Sequence, residues 1–141
     1  MSHPAYPLEI ATQERVLLRD QVVALVARGV EGYLGVLARH APMIVELGIG
    51  PLRLTYADGR HEVLVLTGGI LEVSRQGVVV LADWAERAGE IDPARAQAAA
   101  ERARARLRGD GDEGNVDIER ARAALMRALT RLQAASEGGA R

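Results

Sequence analysis

Apolar and polar positions alternate through much of the first half of the chain, and a period of two is typical of β-strands. Segments of this kind lie at residues 8–18, 52–66 and 70–83, and residues 21–27 form an apolar, β-branched run. The clearest hairpin is 52–66, where two apolar runs are joined through the turn residues Asp58 and Gly59. The last segment repeats this arrangement around Gly77. Short strands at this spacing predict a small β-sandwich or barrel with a core of Val, Leu and Ile.

Beyond Asp92 the composition changes to that of helices. Residues 92–108 are almost entirely Ala, Arg, Gln, Glu and Leu, and Asp92 and Pro93 suit the N-cap and the first helical position. Three glycines within residues 109–115 end this predicted helix, and a second helix is predicted over 117–136. Two helices with a short connection form an antiparallel hairpin.

The apolar faces of the two predicted helices differ in size. In the second helix the apolar residues form one stripe, which consists of Ile118, Ala121, Leu125, Leu129 and Leu132. In the first helix they are mainly alanines, namely Ala96, Ala99, Ala100, Ala103 and Leu107. An alanine buries about one methyl group, worth ~0.8 kcal/mol. We therefore predict a weakly held hairpin that detaches or docks again readily.

Arginines lie roughly opposite the leucine stripe of the second helix, at Arg120, Arg127 and Arg131. One interpretation is a solvated face with i,i+4 neighbours. The other is an anion site, because Arg127 and Arg131 are two cations on one face. The pattern alone leaves both open.

The two halves of the chain also differ in charge. Residues 1–90 contain 8 Arg and 11 Asp or Glu, whereas residues 91–141 contain 10 Arg and 8 Asp or Glu. Glycine is concentrated in the first half and alanine in the second. We predict an α+β fold: an N-terminal β-sandwich domain over residues 1–87, followed by a C-terminal antiparallel two-helix hairpin over residues 88–141.

The composition excludes several kinds of chemistry. The chain has no cysteine, and all 18 basic residues are arginine, so thiolate sites, Schiff bases and Walker A loops are excluded. His3, His40 and His61 lack metal-ligand spacing, and no nucleophile is paired with a base. We expect no metal, no catalytic cofactor and no enzymatic activity. No apolar run approaches the ~20 residues of a membrane span, and no signal peptide is evident, which favours a cytosolic chain.

One arginine is out of place in the predicted first helix. Arg95 occupies the third helical position, where a cation opposes the positive end of the helix dipole at a cost of about 0.3–1 kcal/mol. Asp117 and Arg120 repeat the Asp-x-x-Arg pattern in the second helix, but there Glu119 offsets the charge. Arg95 has only Pro93 and Ala94 before it in its own first turn.

Several strings resemble the ε subunit of bacterial F-type ATP synthase. They are EGYLGVLARHAPMIVEL (31–47), LTGGILEV (66–73), ADWAERAGEID (82–92) and the helical hairpin, and the resemblance runs from about Leu8 to Leu132. It implies a β-sandwich of about ten strands, followed by the two helices. It also implies a non-catalytic rotor subunit that binds the γ subunit and the c-ring and couples proton flow to ATP synthesis. Such a subunit is peripheral, on the cytoplasmic face of the bacterial plasma membrane.

The resemblance further implies a regulatory hairpin. In this family the hairpin can extend along γ into the α/β catalytic head and block ATP hydrolysis. Some members bind ATP as a regulatory ligand on the folded hairpin, through an Ile/Leu-Asp-x-x-Arg-Ala motif, an earlier Glu and two Arg of the second helix. By this analogy the ATP-binding residues here are Glu86, Ile91, Asp92, Arg95, Ala96, Arg127 and Arg131. The acids would face adenine and ribose, and the arginines the phosphates.

A second set of residues is expected to face the rotor ring and γ, again by resemblance. It consists of Glu31, Tyr33, Arg39 and His40. The loop departs from the family pattern in two ways: Ala38 and Arg39 replace a common Pro-Gly before the histidine, and Tyr33 stands at a position that is often acidic or polar.

An alternative function is a non-ATPase adaptor whose Arg-rich hairpin binds an acidic partner or RNA. Nucleic acid fits less well, because the second half has a balance of only +2, no lysine and no aromatic residue. We therefore expect no nucleic-acid partner.

Overall fold

The protein folds as an α+β chain, as predicted, in a computed structural model that describes residues 3–109 and 117–137. The strands are β1 (Tyr6–Ala11), β2 (Val16–Val22), β3 (Ala24–Gly29), β4 (Gly32–Leu37), β5 (Met43–Thr55), β6 (His61–Ser74), β7 (Gly77–Ala82) and β8 (Ala85–Arg87). A 3₁₀ helix (Ala88–Glu90) follows, and then the helices α1 (Pro93–Arg108) and α2 (Ile118–Glu137).

The strands form one continuous sheet that folds over into two layers. Its order is β2-β1-β7-β6-β5-β3-β4, with β8 paired to the first half of β6, and the β1–β7 pair is parallel. The long strands β5 and β6 belong to both layers, and their pairing is interrupted at Gly48 and Gly68 and resumes in the same register. The described residues therefore contain eight strands rather than about ten, and counting each long strand as two gives ten.

The core between the layers is aliphatic, as predicted. Its largest fully buried side chains are Leu8, Ile10, Leu25, Leu52, Leu54, Leu64, Leu71, Val22, Val36 and Val80. Two aromatic side chains, Tyr6 and Tyr56, also lie in this core, and Tyr6 donates its hydroxyl to the carbonyl oxygen of Val36 at 2.8 Å. Burial raises the pKa of Tyr6 to about 12.

Both predicted hairpins are confirmed. The β5–β6 turn places Gly59 at φ +91, where the Asp58 carboxylate accepts from the Arg60 guanidinium at 2.8 Å. In the β6–β7 turn, Gly77 has φ +134, and a Cβ there would lie 2.5 Å from the Pro7 carbonyl oxygen. A side chain at this position would therefore separate β7 from β1.

The helices begin and end close to their predicted limits. Asp92 Oδ1 caps α1 by accepting from the backbone N–H groups of Ala94 (3.0 Å) and Arg95 (3.3 Å). Gly109 ends α1 in the left-handed conformation, at φ +81. The rest of the predicted glycine-rich connection, 110–115, lies outside the described residues. Neither helix has the length and apolar character needed to cross a membrane.

The predicted apolar face of α1 is confirmed, but the prediction that the leucine stripe forms the buried face of α2 is wrong. In α1, Ala96, Ala100 and Ala103 are buried. Of the stripe in α2 only Ala121 is buried, while Ile118 is 52% and Leu129 38% exposed.

The reason is that α2 lies between α1 and the sandwich, so its buried face is broad. The residues buried there are mostly small: Ala121, Ala128, Thr130 and Ala134. The arc shares only Ala121 with the stripe and extends round the opposite side of the helix, so Arg127 and Arg131 are half-buried, whereas Arg120, near the start of α2, is exposed.

The second half of α2 docks on β5, β6 and the 3₁₀ helix. Ala134 is 1% exposed and packs with Val65 and Ala88. The Arg53 guanidinium forms two hydrogen bonds to the Glu137 carboxylate, at 3.1 and 2.8 Å. This pairing raises the pKa of Arg53 and lowers that of Glu137. The docked hairpin therefore depends on one small apolar contact and on ion pairs.

Candidate functional site

The junction between the sandwich and the hairpin positions most of the candidate ligand-binding residues. Glu86 lies on β8, which is fixed to β6 through the Glu86–Val65 register. Arg87 forms a salt bridge with Glu62 and donates to the Leu17 carbonyl oxygen at 3.0 Å. These contacts hold the backbone rigid just before α1 begins.

A cavity of about 310 Å³ lies at this junction, and we call it the arginine cavity. Its walls come from the β7–β8 connection, β8, the 3₁₀ helix, α1 and α2. The lining residues are Trp84, Glu86, Glu90, Ile91, Asp92, Arg95, Ala96, Ala99, Arg102 and Arg131. The fold thus brings together six of the seven residues predicted to bind ATP; Arg127 is not among the lining residues.

Three guanidinium groups face this cavity from two helices. Arg95 and Arg102 are seven residues apart on α1, which places them on one face, and Arg131 comes from α2. Each guanidinium offers several N–H donors in a planar fork that matches phosphate oxygens. The arrangement is therefore suited to an anion with several negatively charged oxygens.

Acidic groups share the same cavity. Glu86 forms a salt bridge with Arg131, and the two side chains are 18% and 30% exposed. Asp92 is engaged as the helix cap, and Glu90 accepts from the backbone N–H of Arg87 at 3.2 Å. Arg131 is therefore held in place by Glu86 before any ligand arrives.

Four lining residues were absent from the sequence prediction: Trp84, Glu90, Ala99 and Arg102. Two of them had a usable signal, because Ala99 and Arg102 follow Arg95 at i+4 and i+7 on a helix. Trp84 lies in a two-residue connection and Glu90 ends a three-residue 3₁₀ helix, and both segments are too short for a period to indicate direction.

The predicted rotor-facing residues form two separate pairs. Glu31 lies in the β3–β4 turn and Tyr33 near the start of β4, 57% exposed beneath the Arg28 guanidinium at 5.3 Å. Arg39 (φ +63) and His40 follow the other end of β4. The six-residue strand between them spans about 20 Å.

Metal ligation has no support in the described ranges 3–109 and 117–137. No group of three or more His, Asp or Glu side chains there is arranged to hold a metal ion.

Comparison with known families decides the identity. Residues 5–88 match the beta-sandwich domain of the ATP synthase Delta/Epsilon chain, and residues 90–136 match its long alpha-helix domain. The chain belongs to this family. The predicted relationship to the ε subunit is thereby confirmed. Family identity makes the chain a non-catalytic stalk subunit of F-type ATP synthase. The alternative function, a non-ATPase adaptor, is therefore wrong.

Individual relatives agree over nearly the full length. The ATP synthase epsilon chain of Syntrophomonas wolfei is 41% identical over 137 residues, which cover 97% of this chain and 98% of the relative. That of Symbiobacterium thermophilum is 48% identical over 129 residues, covering 91% of each. A chain in the cryo-EM structure of Euglena gracilis mitochondrial ATP synthase superposes with a TM-score of 0.81 at 28% identity, covering 96% of this chain and 84% of that one.

Proposed function

We propose that this subunit works in the rotor stalk of a proton-translocating ATP synthase and that its hairpin is an ATP-sensing regulatory element. The sandwich contacts γ and the c-ring through Glu31, Tyr33, Arg39 and His40. The docked hairpin binds ATP; the released hairpin reaches the α/β head and inhibits ATP hydrolysis. The assembled subunit is peripheral, on the cytoplasmic face of the bacterial plasma membrane.

The observation that carries this proposal is the composition of the arginine cavity. Glu86 comes from the sandwich, Arg95 and Arg102 from α1, and Arg131 from α2. A ligand that contacts all three parts binds the docked form and not the released one. Such a ligand stabilises the docked form by about 2.7 kcal/mol at a concentration of 100 Kd.

The hairpin is held on the sandwich weakly enough for a stabilisation of this size to shift the balance between the docked and released forms. The α1–α2 contact buries alanines, and the contact of α2 with the sandwich is centred on Ala134. The two ion pairs that hold α2, Arg53–Glu137 and Glu86–Arg131, are each partly exposed. Partly exposed pairs contribute little more than the 0.2–1 kcal/mol or so of surface pairs.

Phosphate oxygens also account for the position of Arg95. Its guanidinium opposes the dipole of α1, and a phosphate beside it would offset that repulsion. Arg127 lies one turn before Arg131 on the same half-buried side of α2. We assign it to the ATP contacts as well, in a position reached when the ligand is bound.

A calorimetric titration of the chain with ATP, with and without magnesium, tests the proposal. We expect saturable binding and a thermal midpoint that rises more with ATP than with GTP. Arg95→Ala or Arg127→Ala should remove most of that rise. Arg19→Gln is the matched control, because it breaks the Arg19–Glu9 pair on the sandwich surface and leaves the cavity intact. Absence of binding at millimolar ATP would refute the sensor and leave the stalk assignment standing.

A further inference from the structure

The backbone at Trp84 is held by hydrogen bonds, but the fold gives no reason for an exposed tryptophan side chain at this position. It is the single tryptophan of the chain and is 47% exposed, in the short connection between β7 and β8. Its carbonyl oxygen accepts from the Thr67 N–H at 3.1 Å, and the Asp83 N–H donates to the Gly68 carbonyl at 3.1 Å. The indole therefore presents an apolar face to water from a fixed backbone.

Trp84 also separates two cavities of different chemistry. One is the arginine cavity. The other, of about 430 Å³, we call the acidic cavity, because its described lining contains four carboxylates, Glu14, Asp83, Glu86 and Glu90, and a single cation, Arg15. Trp84, Glu86 and Glu90 line both cavities, so the two cavities adjoin at these residues.

We propose that Trp84 stacks on the purine base of the nucleotide whose phosphates bind Arg95, Arg102 and Arg131. This inference rests on the proposed ATP-sensing function and adds the determinant of base recognition. Aromatic side chains bind nucleobases face to face, and among the residues described as lining either cavity Trp84 is the one aromatic. The ribose then lies near Glu86, between the base and the phosphates.

The acidic cavity determines which base is preferred. Ionised carboxylates accept hydrogen bonds and cannot donate them. The 6-amino group of adenine donates, whereas the 6-oxo group of hypoxanthine only accepts. Glu14 and Asp83 therefore favour adenine, and the carboxylates of this cavity outnumber Arg15, the one cation in its described lining. A pyrimidine offers a smaller surface for stacking. The expected order of affinity is therefore ATP above ITP, and ITP above UTP.

Tryptophan fluorescence tests the stacking directly, because Trp84 is the sole source of indole emission. ATP should quench this emission in proportion to the binding measured by calorimetry. Inorganic tripolyphosphate should bind the arginine cavity without changing the emission, because it has no base. Equal quenching by both ligands would contradict stacking.

Two replacements of Trp84 make the test quantitative. Trp84→Leu keeps apolar bulk but loses the aromatic face, so ATP affinity should fall by about 5- to 100-fold. Trp84→Phe should restore most of that loss. Tripolyphosphate affinity should be the same in all three proteins, which also shows that the variants are folded.

The outcomes separate this inference from the function on which it rests. If ATP does not bind the wild-type chain, both are overturned. If ATP binds the wild-type and Trp84→Leu chains equally and the emission does not change, the stacking role is overturned and the ATP sensor stands.

Discussion

Replacement of Arg53 by glutamine should release the C-terminal end of α2 from the sandwich. Arg53 holds Glu137, the last described residue of α2, through Nε to Oε1 at 3.1 Å and Nη2 to Oε2 at 2.8 Å. The two residues are 84 positions apart in sequence, so the pair joins the hairpin to β5 directly. Glutamine keeps a long polar side chain and removes the charge.

The expected loss of docking free energy lies between the values for surface ion pairs and for buried ion pairs. Fully exposed pairs contribute about 0.2–1 kcal/mol, and loss of one partner from a buried pair costs about 3–5 kcal/mol. The Arg53 and Glu137 side chains are 35% and 32% exposed, and the pairing is bidentate. We expect about 1–1.5 kcal/mol, which is about a tenfold shift of the docking equilibrium towards the released form.

Hydrogen–deuterium exchange of the amides in residues 128–137 measures this shift. Glu137→Gln should accelerate exchange as much as Arg53→Gln does, and the double variant should be no worse than either single one. Arg19→Gln, which breaks an exposed pair on the sandwich, is the control and should have no effect. Unchanged exchange in Arg53→Gln, or effects that add in the double variant, would refute the role of this pair.

Three further predictions concern packing and pH. Gly69→Ala should destabilise the sandwich by about 2–4 kcal/mol in urea unfolding, because a Cβ there would lie 2.2 Å from the Leu81 carbonyl oxygen at φ +127; Gly35→Ala, whose nearest neighbour is at 3.8 Å, should be tolerated. Ala134→Leu should overpack the contact between α2 and the sandwich and weaken docking by about 1–3 kcal/mol. Amide exchange in α2 should then accelerate, while the stability of the sandwich stays the same. Because Arg53 lowers the pKa of Glu137 below its ordinary 4.5, docking should be constant above about pH 5 and weaken as pH falls through that lowered pKa, as followed by NMR; pH-independent docking would contradict it.

The local elements of the fold could be predicted because their signals are local. The turn at Asp58 and Gly59, the cap at Asp92 and the stop at Gly109 each act within a few residues of themselves. The parallel β1–β7 pair has no such signal, because its partners are far apart in the sequence.

The buried face of α2 could not be predicted because burial was inferred from side-chain size. A helix enclosed between α1 and the sandwich buries its small residues, where close approach is needed, and leaves leucines such as Leu129 at the margin. The same geometry places Arg131 inside, where Glu86 pairs with it. Six of the seven candidate ATP residues nevertheless line one cavity, because five lie in one short stretch before and within the first turn of α1; their role in binding ATP stays a prediction. The domain boundary at residues 87 and 88 stays a prediction.

The central claim is that ATP holds the hairpin on the sandwich, and exchange of the α2 amides with and without ATP tests it most directly. Saturating ATP should slow exchange in residues 128–137 of the wild-type chain, and Arg131→Gln should lose most of this protection. Equal exchange in the presence and absence of ATP, under conditions where ATP is bound, would contradict the account.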